Sequence, residues 1–82
     1  MNETEFSVIE AYLINNWSHR RIQSEILGIE APQRGGGFEA MKILHKFEIK
    51  EEHKNMLNGQ VLDRNLFEQV QDIQSYLEQS NI

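Results

Sequence analysis

The chain has 82 residues, no cysteine and a formal net charge of −5. That length suits one domain with a modest core and leaves little room for an interior substrate cavity. The lack of cysteine excludes disulfides, thiolate metal sites and thiol nucleophiles, and the acid excess argues against a generic nucleic-acid binder.

The predicted elements are helical. The first helix is predicted from about Thr4, its cap, to Asn15, with Phe6, Ile9 and Leu13 as an inward stripe flanked by Val8 and Tyr12. Asn15-Asn16 permit a turn, and Trp17 reads as a core anchor. Ser18 is placed to cap a second helix that runs to Leu27, with Ile22 and Ile26 inward and Gly28 at a left-handed C-terminal position. Residues 29–37 read as a loop, since Pro32 disfavours helix and Gly35, Gly36 and Gly37 extend the break. The third helix is predicted from about Gly37 to Phe47, burying Ala40, Ile43, Leu44 and Phe47, with Phe38 and Met41 beside them.

Residues 48–62 have two readings. Asn58-Gly59 is a hairpin signal that would pair Met56-Leu57 with Val61-Leu62. Alternatively, Glu51–Leu57 form a short helix ended by the same Asn-Gly. The last helix is predicted over 63–79, capped by Asp63. Leu66, Val70, Ile73 and Leu77 form a seam on it that would pack on the domain, on a second copy as a homodimer, or on both. The expectation is one mainly α domain of four helices, with a helix-turn-helix-like core over 4–62 and a C-terminal amphipathic helix over 63–79. A short β-hairpin wing near Asn58-Gly59 is one of the two readings.

Charge is unevenly spread. Between Ser18 and Lys46, Arg20, Arg21, Arg34, Lys42 and Lys46 face three acids, Glu25, Glu30 and Glu39, a balance of +2. The ends are acidic, through Glu3, Glu5 and Glu10 and through Asp63, Glu68, Asp72 and Glu78. Arg34 and the glycine run stand just before a helix start, where unpaired N–H groups suit an anion such as phosphate. A flexible connector is the alternative reading of that run.

Ser18-His19-Arg20-Arg21-Ile22-Gln23-Ser24-Glu25-Ile26-Leu27-Gly28-Ile29 resembles the first helix and turn of winged helix-turn-helix DNA-binding domains. Phe38–Ile49 resembles their recognition helix and its exit. The resemblance implies a small DNA-binding regulator or accessory protein. Arg34, Gly36 and Gly37 would meet phosphates, Lys42, His45 and Lys46 would face the duplex, Arg20 and Arg21 would clamp the backbone, and Lys54 would lie on the wing. The alternative is a protein-interaction module, such as a small phage- or prophage-type adaptor or inhibitor, without nucleic-acid affinity.

No enzyme is expected. His19, His45 and His53 lack metal-site spacing, and the glycine run lacks the Gly-Lys-Ser/Thr ending of a phosphate loop. No metal or cofactor is expected. The acidic opening Met1–Glu5 is unlike a signal peptide, and the longest apolar run, Ala11–Ile14, is too short to span a bilayer. A cytoplasmic location with no membrane contact is the expectation.

Overall fold

The computed structural model describes residues 1–29, 37–57, 60–70 and 72–80. Among them the order is α1 Glu3–Leu13, α2 His19–Glu25, α3 Phe38–Lys46, α4 His53–Met56, α5 Arg64–Glu68 and α6 Ile73–Ser80. The mainly helical expectation holds, with more and shorter helices than foreseen.

The cap of α1 is Asn2, not Thr4. Its side chain accepts the Glu5 N–H at 2.7 Å, and Glu5 Oε1 accepts the Asn2 N–H at 3.0 Å, a reciprocal capping box. Val8, Ile9, Ala11, Tyr12 and Leu13 enter the core, while Phe6 packs at its edge. Ser18 caps α2 as predicted, accepting the Arg21 N–H at 3.2 Å. Trp17 is half-buried, with the Arg21 guanidinium 4.1 Å above its ring.

Three helices end on a left-handed residue: Asn16 (φ 58°) after α1, Gly28 (φ 67°) after α2 and Glu48 (φ 56°) after α3. Beyond each, a backbone N–H reaches back to the helix. Trp17 bonds to the Ala11 carbonyl, Ile29 to Gln23 and Ile49 to Leu44. Carbonyls that the helix ends leave without an intrahelical partner are thereby satisfied.

α1, α2 and α3 pack on one another, and α4 packs on α1. The tightest approach is at Gly37 (φ 92°), the buried residue preceding α3. A Cβ there would lie 2.5 Å from His19 Cβ and 2.9 Å from the His19 carbonyl carbon. Both the backbone angle and the space demand glycine. One N–H of the opening turn of α3 is capped from α2: the buried Gln23 side chain accepts the Glu39 N–H at 3.2 Å.

The β-hairpin wing is corrected. There is no strand among the described residues, and Met56 ends α4 with Leu57 as its C-cap. Local bonds from Lys54 to Glu51, Asn55 to Glu52 and Leu57 to His53 hold that segment as helix. Two apolar pairs would make a ribbon too small to stand alone. Asn58-Gly59 themselves lie outside the described residues.

The single helix over 63–79 is also corrected. Asp63 caps α5, accepting the Leu66 N–H at 3.2 Å, but Asp72 supplies a second cap, accepting the Ser75 N–H at 2.7 Å. Tight bonds from Gln69 to Leu66 and from Val70 to Phe67 end α5 between them. The seam is therefore divided between two helices. Ile73 and Leu77 are buried in the domain's own core, and Leu66 and Val70 pack half-buried against it. Phe67 lies at the centre of this half, its ring 5.9 Å from Phe47 and 5.5 Å from Tyr76. Tyr76 also accepts the Asp63 N–H at 3.0 Å, tying α6 to the start of α5.

Gly37→Ala is expected to cost about 3 kcal/mol, combining left-handed strain with overpacking. Gly28→Ala, where an added Cβ meets nothing within 4 Å, should cost only about 1 kcal/mol. Urea unfolding of the two variants measures the difference; equal losses would mean that the approach of α3 to α2 is not tight.

Candidate functional site

The described residues expected to face DNA come from α2, α3 and α4 and from the residue before α3, and most of their cations have partners within the chain. Arg34 and Gly36 lie outside the described residues. The Cα face of Gly37 lies against the start of α2 of its own chain. Lys42 Nζ pairs with Glu39 at 3.3 Å, one turn away on the exposed face of α3. Lys46 Nζ donates to Glu5 Oε2 at 2.7 Å, reaching the start of α1. Lys54 Nζ donates to Asn16 Oδ1 at 2.9 Å and lies 4.2 Å from the Tyr12 ring centroid. Arg21 covers Trp17, and the Arg20 side chain has no ion pair, hydrogen bond or ring contact among the described residues.

Glu5 is the best-embedded of the carboxylates just named. The Lys46 ammonium, and after it the Asn2 N–H, hold its carboxyl below the usual carboxylate range, against an opposing effect of burial. One oxygen closes the capping box and the other takes Lys46, so α1 and the end of α3 are joined through one side chain.

A groove of about 550 Å³ runs along α1, α3 and α4 and past the start of α2. Its lining includes all three histidines of the chain, His19, His45 and His53, together with Tyr12, Glu48, Glu51 and Glu52. His45 is the one residue of the expected DNA surface among those lining it. Each histidine comes from a different helix, so no local spacing marks the group in sequence. Only the packing of α2, α3 and α4 brings them to one groove.

His19 is the first residue of α2, and its Cβ is the atom nearest the open side of Gly37. Its ring stacks on Tyr12 at 5.2 Å, with 10° between the planes. Burial pushes the imidazole below its ordinary value, and the nearby Lys54 and His45 add to this while Glu51 opposes it. Burial also raises the Tyr12 hydroxyl, with Glu51 adding to the effect.

His53 opens α4 and is 4 % exposed. Its Nδ1 accepts the Lys50 N–H at 2.9 Å. A backbone N–H only donates, so Nδ1 carries the lone pair and the proton of the neutral ring sits on Nε2. The ring is thus a fixed donor at Nε2 and offers no lone pair there. Among the described residues, no group of three or more His, Asp or Glu is placed to hold a metal ion.

At the rim, Glu48 and Asp72 interact directly. Hydrogen bonding and charge from Asp72 raise Glu48, while the N–H of Ser75 keeps Asp72 low. Glu48 follows α3 with a left-handed backbone and Asp72 caps α6, so two helix ends bring like charges together.

Comparison with protein-family models, with curated proteins and with solved structures finds no match.

The depressed His19 fixes the sign of one pH effect. The unfolded chain takes up the proton at the ordinary 6.5, before the folded chain does. The stabilisation from burying a neutral ring is complete above that value and is lost as pH falls toward the folded value. His19→Phe, which keeps a ring on Tyr12 without titrating, should lose less stability than the parent between about pH 7.5 and pH 5. Urea unfolding at the two pH values tests this, and parallel losses would contradict it.

Proposed function

We propose that this chain is a protein-interaction module, an adaptor or inhibitor, and not a DNA-binding regulator. The observation that carries this reading is the state of α3, the helix that would enter a DNA groove. In its opening turn Gln23 takes the Glu39 N–H, and its two lysines are paired with Glu39 and Glu5. A phosphate that used the Glu39 N–H would have to displace the buried Gln23 side chain from it. The Lys42 pair is exposed and so contributes little. The Lys46 pair is firmer, because Glu5 is buried and its carboxyl also closes the α1 cap.

The acid excess of the whole chain supports the same reading. A binder that neutralises several phosphates needs cations free to replace counterions. The rival reading, DNA binding through a helix-turn-helix-like surface, draws on the mutual packing of α1, α2 and α3 and on the exposed positions of Lys42, His45 and Lys46.

Fluorescence anisotropy with a mixed-sequence duplex, at about 50 mM and about 200 mM salt, separates the two. The protein-binding reading expects no saturable binding at micromolar protein at either salt. Binding that weakens steeply with salt, and that is lost in the doubly charge-reversed Arg34→Glu, Lys42→Glu variant, would restore the DNA reading.

A further inference from the structure

We propose that the groove along α1, α3 and α4 is the docking site for a lysine- or arginine-bearing segment of a partner protein, one of whose backbone carbonyls accepts from His53 Nε2–H. This deepens the protein-binding reading and rests on it.

Two independent observations converge on the groove. The first is its charge. Glu48, Glu51 and Glu52 line it against the single Lys50, and all four side chains belong to exposed residues of the α3–α4 connection. The second is the unused donor on His53. Nδ1 is committed to the Lys50 N–H, and Nε2 has no partner among the described residues. Among the described residues no fully buried side-chain nitrogen or oxygen lacks a partner, so Nε2 is not sealed off, and His53 lines the groove. A ring 4 % exposed that still presents a fixed N–H is a poor feature for water alone and a good one for an incoming carbonyl.

Together these features describe the occupant. It must offer a hydrogen-bond acceptor to the His53 donor and a cation to the carboxylates that line the same groove. An extended peptide with a basic side chain offers both. A free anion would satisfy His53 but would meet three glutamates. A nucleic-acid backbone meets the same repulsion. The Tyr12 ring is already taken, with Lys54 over it and His19 stacked on it, so the incoming cation is directed to the carboxylates.

The test uses the full chain, ¹⁵N-labelled, and two capped heptapeptides. One bears two arginines in a glycine–serine frame, and the other carries citrulline at both positions, equal in shape but neutral. The arginine peptide should shift amides of residues 44–53 together with Tyr12 and His19. It should bind about fivefold or more tightly than the citrulline peptide, and the advantage should shrink as salt rises. Glu51→Gln with Glu52→Gln, both at exposed positions, should remove most of that advantage while leaving the fold intact. His53→Phe should weaken both peptides alike, since the carbonyl contact is common to them.

Equal binding of the two peptides, shifts scattered away from the groove, or no shifts at all would overturn the assignment. Groove amides that shift on diluting the protein alone would make the occupant a second copy of this chain, which also overturns it. A duplex oligonucleotide added to the same samples keeps the two levels apart. Shifts along α3 on its addition would overturn the protein-binding reading itself. If both oligonucleotide and peptide give no shifts, only the groove assignment falls.

Discussion

The contact between Gly37 and the first turn of α2 is the constraint on which the rest of this molecule depends. With no side chain at Gly37, the backbone entering α3 lies against the His19 carbonyl carbon and Cβ. That approach puts the Glu39 N–H within reach of Gln23, so α3 is capped from a neighbouring helix and not by its own N-cap residue. It also brings Ala40 and Leu44 onto Val8, Ile9 and Ile22 in one core. On the other side, it holds His19 where its ring lies flat on Tyr12, at the end of the groove. Core, cap and groove wall therefore share one close approach, and any side chain at Gly37 would disturb all three.

The parts of the fold legible in sequence were those encoded locally. Ser18 as a cap, Gly28 as a left-handed terminator and the Ala40–Leu44 face are short-range signals, and each sits where its chemistry puts it. Thr4 misled because Asn2 also fits a cap, and only the reciprocal bond with Glu5 decides between them. The last helix misled for a related reason. An apolar seam with helical spacing passes straight through Asp72, but that residue caps a new helix at Ser75. Spacing records which residues turn inward and does not reveal that the backbone restarts between them. Asn58-Gly59 carried a hairpin signal, but the four residues before them hold helical bonds and their apolar neighbours are too few for a ribbon.

The candidate site was much less legible. His19, His45 and His53 are separated by 26 and 8 positions and stand on three helices. Nothing in a linear reading joins them. The basic residues were easy to see, yet their number was a poor guide to their availability. Lys46 finds its carboxylate 41 positions away, and Lys54 finds Asn16 38 positions away. Lys46 and Lys54, which look free along the chain, are in the fold ties that hold α1 to α3 and α4. Lys42 and Lys46 stay exposed while paired, and Glu48, Glu51 and Glu52 of the α3–α4 connection are exposed beside the groove they line.

The helices themselves are short. The longest described one, α1, has 11 residues, and α2, α4 and α5 have 7, 4 and 5. Segments of this length scarcely persist alone in water, where about 12–15 residues are needed even for favourable compositions. Secondary structure in this chain is thus a product of tertiary assembly and not a precursor of it. Its circular dichroism at 222 nm should therefore report the packed state as a whole, vanishing in step with the near-ultraviolet signal of Trp17 instead of outlasting it.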